Sequence, residues 1–150
     1  MLTYEEVEKD LFTVEEKYWL AHCVSADFAL GGGIALEFAR RFNERNFLIS
    51  RYGRKYFQQF EKFGHYCLVD ENAKVFNLVT KKNVYDLPTY ASLTGALKDL
   101  QEECNKFDVE YLAMPLIGCG LDRLNWKRVS QIIQDTFAFD DINILICVRR

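Results

Sequence analysis

Apolar residues along this chain recur with two different periods. Trp19-Leu20-Ala21-His22-Cys23-Val24 is a short, nearly continuous apolar run, the pattern of a strand covered on both faces. It leads through Ser25 to Leu30 into Gly31-Gly32-Gly33. Beyond the glycines Ile34, Phe38 and Phe42 fall four apart, with Ala35, Leu36 and Ala39 widening the apolar surface, which predicts a largely buried helix. His65 to Val69 and Val75 to Lys81 predict two strands around a polar turn at Asp70-Glu71-Asn72. Pro88-Thr89 opens a helix whose Leu93, Leu97, Leu100, Cys104 and Phe107 share one stripe. Val109 to Met114 reads as a strand and Pro115 to Arg123 as a loop. Asn125 is placed to cap a helix with Trp126, Val129, Ile132, Ile133 and Phe137 on one face. Thr3 to Glu8 and Ile142 to Val148 read as the first and last strands. Residues 43–64 mix aromatics with charges and read mostly as helix.

Strands alternating with helices predict an α/β fold with a largely parallel central sheet, and the 150 residues suit a single domain over 1–150. In such sheets ligands bind in loops beyond the carboxyl ends of the strands, where both glycine clusters fall. The net charge of −3 argues against affinity built on neutralising many phosphates of a long nucleic acid. A small anion held by a few backbone N–H groups stays open. The chain has no apolar run approaching the roughly 18 residues of a membrane helix, so no membrane partner is expected. Met1 to Glu6 is acidic and unlike a secretory signal. Five cysteines without a C-x-x-C pair argue against a zinc site or a disulfide framework. The expectation is a reduced, cytoplasmic monomer.

Four features could carry chemistry. Three consecutive glycines at a helix start let backbone N–H groups approach a ligand, and the helix dipole favours a phosphate or pyrophosphate. Their spacing is neither G-x-G-x-x-G nor a Walker loop, so dinucleotide oxidoreductases and nucleotide triphosphatases lose weight. Gly118 and Gly120 sit in a second strand-to-helix loop. There, position alone favours Asp122 as a cap for the next helix over a general acid or base, and Cys119 as a small packing residue over a nucleophile. Lys81 and Lys82 read either as solvated ends of an edge strand or, for one of them, as a catalytic amine that must lose its proton to attack. Asp10 is an exposed turn residue or a carboxylate that accepts from an adenine amine.

Taken in order, Asp10-Leu11-Phe12, Ala21 to Ser25, Gly31-Gly32-Gly33-Ile34-Ala35 and Gly118 to Leu124 resemble a macrodomain, a three-layer α/β/α module that binds ADP-ribose. Thr80-Lys81-Lys82, Pro88-Thr89-Tyr90 and Ile117 to Leu124 with Trp126 are most similar to the terminal ADP-ribose protein glycohydrolase class. The resemblance covers about residues 3–148 and implies a mixed, largely parallel sheet. It places Asp10 on the adenine amine with Leu11 beside it, and Gly31, Gly32, Gly33 and Ile34 around the diphosphate. Ser25 then lies near the distal ribose, with Ile117, Gly118, Cys119, Gly120 and Leu121 closing from the other side. Lys81 corresponds to the family's catalytic lysine and Asp122 to its catalytic aspartate. Lys9 stands before Asp10 where the family usually has glycine, and residues 51–64 depart from its pattern.

The implied reaction removes ADP-ribose from Glu or Asp of modified proteins and deacylates O-acyl-ADP-ribose, with no metal or cofactor required. Competing readings are a phosphatase acting on ADP-ribose 1″-phosphate, removal of ADP-ribose from nucleic acid, and an ADP-ribose reader without turnover.

Overall fold

The computed structural model describes residues 1–149. In chain order it contains β1 (Thr3–Glu8), β2 (Trp19–Ser25), α1 (Gly33–Phe42), α2 (Glu44–Tyr52), α3 (Lys55–Phe63), β3 (Tyr66–Asp70) and β4 (Val75–Lys81). α4 (Tyr90–Lys106), β5 (Tyr111–Met114), α5 (Trp126–Thr136) and β6 (Asn143–Val148) follow. One short 3-10 turn, Leu11–Thr13, comes after β1. Segment 43–64 lacks a clean period because two short helices share it. The chain reverses at Asn43, which adopts a left-handed φ of 55°, and again at Gly53.

All six strands form one sheet in the order β1-β6-β5-β2-β4-β3. Every neighbouring pair is parallel except β3 with β4, which the Asp70–Lys74 turn joins antiparallel. The sheet is therefore largely parallel, as the alternating pattern predicts, and mixed, as the resemblance implies. β4 is interior, flanked by β2 and β3, so Lys81 leaves the sheet from a covered strand and not from an edge. β5 starts at Tyr111, two residues later than the apolar run. Asp108 turns back at a φ of 52° and the Val109 N–H closes the end of α4 on the Cys104 carbonyl.

Helices cover both faces, giving three layers. On one side Leu93, Leu97 and Leu100 of α4 and Val129 and Ile133 of α5 pack on Phe76, Leu112, Met114 and Ile146, all essentially inaccessible to water. Phe38 of α1 and Leu48 of α2 cover the other side with Leu20, Val75, Val79 and Ala113. Each large apolar side chain buried this way contributes about 1.5–3 kcal/mol against the ordering entropy. α4 begins with a capping box between Thr89 and Ser92, and the Asn125 side chain accepts from the Arg128 N–H to cap α5.

A polar chain runs through the second interface. The Asn77 amide, wholly buried in β4, donates to Glu44 Oε1 at 2.8 Å and to the Leu68 carbonyl at 3.2 Å. Its oxygen is thus the acceptor for His22 Nε2 at 2.6 Å, which fixes the proton on that nitrogen and leaves Nδ1 unpartnered. The His22 ring stacks on Phe38 with centroids 3.8 Å apart. Burial holds His22 neutral, pulling it down to about 4. Burial likewise pushes Glu44 up to about 8, with the Asp70 carboxylate beside it adding to the effect.

Candidate active site

Five parallel strands aim their carboxyl ends at one rim. At β2 and β5 the following helices, α1 and α5, depart to opposite faces, which opens a crevice between the two strands. A cleft of about 690 Å³ occupies it. One wall is the turn from β2 into α1. Gly33 takes a φ of +56° there, and across the cleft Gly118 takes +72°, values that residues with a Cβ rarely adopt. No side chain caps α1, so its first N–H groups are free to bind an anion. Leu121 is 74% exposed yet lies across the glycines: Cβ atoms built on Gly32 and Gly33 would stand 3.5 and 3.6 Å from its Cδ1. Two core residues leading into this wall, Phe28 and Leu30, hold φ values of 53° and 44° and are kept there by full burial.

An ion pair in the cleft joins the end of β4 to the loop that follows β5. Lys81 Nζ donates to Asp122 Oδ1 at 2.7 Å, with the side chains 13% and 14% exposed. Asp122 is free to do so because Asn125 takes the helix cap that position alone assigns to the aspartate. Two thiols flank the pair. Burial first and the Asp122 carboxylate second push Cys23 up to about 12 and Cys119 up to about 11, so both stay protonated at neutral pH.

At the opposite end Asp10 caps the 3-10 turn, accepting from the Phe12 N–H at 3.0 Å, while its other oxygen lies 3.4 Å from Arg149. Near the middle, Ser25 donates its hydroxyl to Asp27 Oδ1 at 2.5 Å. Asp27 also accepts from the Ala29 N–H at 3.1 Å and, through Oδ2, from the Val84 N–H at 2.9 Å. One carboxylate therefore clamps the approach to the glycine wall onto the segment that follows Lys81. The Ala26 and Asp27 N–H groups reinforce this by donating to the Lys81 and Lys82 carbonyls.

No family model matches the chain. Among curated proteins, the ADP-ribose glycohydrolase OARD1 of Homo sapiens and that of Bos taurus are each 36% identical to it over 146 residues, 97% of this chain and 90% of theirs. The chain belongs to the macrodomain family. Solved structures share its fold. The macrodomain of Thermus aquaticus DarG superposes with a TM-score of 0.76 at 23% identity, covering 98% of this chain and 99% of that one. Thermosipho africanus DarTG in complex with ADP-ribose superposes with a TM-score of 0.74 at 21% identity, covering 97% and 41%.

Every residue expected at the macrodomain's site, from Asp10 and Leu11 through Ser25 and Gly31–Ile34 to Lys81 and Ile117–Asp122, lines this one cleft. Arg149 and the rim residues Tyr85 and Leu87 line it too, and sequence reasoning missed them. Sequence reasoning also missed Asp27, whose sole signal was its place two residues after Ser25. Among the described residues no group of three His, Cys, Asp or Glu side chains is placed to hold a metal ion. No described helix is long and apolar enough to cross a membrane.

Proposed function

We infer that this macrodomain binds ADP-ribose in the cleft and hydrolyses the bond between its distal ribose and an acceptor carboxylate. The observation that carries the reading is the Lys81–Asp122 pair, 2.7 Å apart and shielded from water at the edge of a cleft with an open helix N-terminus. The cleft volume of about 690 Å³ matches a ligand of nucleotide-sugar size. The diphosphate sits on the α1 N–H groups between Gly31–Ile34 and Ile117–Leu121, with adenine at Asp10 and the distal ribose at Ser25 and Lys81.

Asp122 takes a proton from Lys81, and the freed amine attacks the anomeric carbon. As the N–C bond forms, the C–O bond breaks and the acceptor leaves as a carboxylate with the electron pair. Asp122 passes its proton by way of the departing acid to solvent. The ionised carboxylate then takes a proton from the water that cleaves the lysine adduct and returns it to Lys81 as ADP-ribose departs. Overall one water is consumed and one proton is released with the acceptor carboxylate. The same steps release a small acid from O-acyl-ADP-ribose.

Release of ADP-ribose from a glutamate-linked mono-ADP-ribosylated protein tests this. Lys81→Ala and Asp122→Asn are each expected to lower kcat by about 10²–10⁴ while calorimetry shows ADP-ribose still bound. Binding by the unaltered protein with no release would make it a reader. Full activity in Lys81→Ala would remove the lysine from the mechanism.

A further inference from the structure

Lys81 stands between two depressions. A second pocket, of about 730 Å³, shares Lys81, Asp86 and Leu87 with the cleft and continues beyond them to the end of α3 and the start of α4. Apart from Lys81, none of the residues assigned to ADP-ribose lines it. Attack by Lys81 expels the acceptor from the opposite face of the anomeric carbon, so a modified polypeptide leaves the cleft over its rim, which Asp86 and Leu87 help to form. The second pocket is the adjoining space.

Its walls combine apolar and cationic groups. Phe60 and half-exposed Phe63 form one side. Lys82 Nζ donates to Glu61 at 2.7 Å, but that carboxylate is 77% exposed, so the pair is a surface contact that another carboxylate can replace at small cost. At the opposite side the capping box satisfies the Thr89 and Ser92 N–H groups and leaves those of Tyr90 and Ala91 without an intrahelical partner. Thr80 also lines the pocket, and its buried hydroxyl, beside the Cys23 thiol, has no hydrogen-bond partner. Behind the aromatic side, residues 40–64 carry seven Lys and Arg against two Glu, in a chain whose net charge is −3.

Taking Lys81 as the attacking group, we propose that the second pocket is the acceptor subsite and takes a polypeptide with an acidic residue next to the modified carboxylate. That acid displaces Glu61 from Lys82 and meets the first N–H groups of α4, and the peptide's apolar groups lie on Phe60 and Phe63. One carboxylate fits this arrangement better than a phosphodiester chain, which would run against Glu61 and Asp86 together.

Two non-hydrolysable, triazole-linked ADP-ribosyl peptides test the subsite, one with Asp and one with Lys beside the linkage. Calorimetry is expected to show the Asp peptide bound about tenfold more tightly, the worth of one partly shielded charge contact. Lys82→Glu should erase or reverse that preference while free ADP-ribose binds within about twofold of the unaltered protein, since Lys82 lies outside the cleft. Phe63→Ala should weaken both peptides and spare free ADP-ribose. Equal affinities for the two peptides, or a preference that survives Lys82→Glu, would overturn the proposal. So would tighter binding of an ADP-ribosylated oligonucleotide than of either peptide. If free ADP-ribose does not bind at all, the cleft assignment has failed and the acceptor subsite falls with it.

Discussion

The buried chain of His22, Asn77 and Glu44 makes stability depend on pH in an unusual direction. Glu44 titrates near 8 in the fold against an ordinary value of 4.5, so folding takes up a proton. Its stabilisation is complete below pH 4.5 and drains away as pH rises toward 8. His22 has the opposite sign: neutral down to about 4 in the fold but protonated below 6.5 when unfolded, it stabilises above 6.5 and loses that contribution as pH falls toward 4. Between 4.5 and 6.5 the two slopes cancel, and from 6.5 to 8 Glu44 acts alone. At about 1.4 kcal/mol per pH unit, that upper window removes about 2 kcal/mol. For a chain of this length the loss is about 4–8 °C in Tm. Glu44→Gln keeps an oxygen for the Asn77 amide, offers an N–H toward Asp70 and cannot ionise, so its stability should be flat from pH 6.5 to 8. Urea titrations at half-unit steps from pH 5 to 8.5 on both proteins measure this. An unaltered protein that gains stability above pH 6.5, or a Glu44→Gln protein that keeps the downward slope, refutes the reasoning.

Three further outcomes are expected. Asp27→Asn sets an amide N–H against a backbone N–H that the carboxylate now satisfies. It should lose about 2 kcal/mol in urea titration and about tenfold in kcat, because the segment after Lys81 loosens. Leu121→Ala should change stability by less than about 0.5 kcal/mol while weakening ADP-ribose about tenfold by calorimetry, since the exposed leucine has only the glycine wall and a ligand to cover it. Iodoacetamide at pH 7.5 should leave Cys23 and Cys119 unmodified by mass spectrometry, as thiols held near 12 and 11 offer almost no thiolate; rapid alkylation of either would contradict the burial assigned to them.

The layering was legible because each long element carries its own period. The α4 stripe from Leu93 to Cys104 and the apolar runs of β2, β4 and β6 are continuous enough to read without help from tertiary structure. Segment 43–64 was less so, because its helices are nine residues each and the turn at Gly53 breaks the phase between their apolar positions. The site was legible in parts. Glycines at a helix start announce an anion site through local backbone demands. Lys81 and Asp122, 41 residues apart, announce nothing to each other until the sheet order brings β4 and β5 to either side of β2. Family resemblance supplied their roles, and local rules offered both Asp122 and Asn125 as caps for the next helix, a place that Asn125 takes. The second pocket was invisible for the same reason: Phe63, Lys82 and Thr89 meet only in three dimensions.

The strand leading to Asp10 has a single neighbour in the sheet, β6, paired from Thr3 with Asn143 to Glu8 with Val148. These partners are 140 residues apart. During synthesis at about 5–20 residues per second, β1 therefore leaves the ribosome roughly 7–30 s before the strand it needs. β2, β3 and β4 can meanwhile pair among themselves and set Lys81 beside the glycine turn. The lysine side of the cleft thus matures before its Asp10 end, and the complete cleft marks a chain whose last strand has been made. A nascent chain arrested before Asn143 would hold Lys81 without the full cleft beside it.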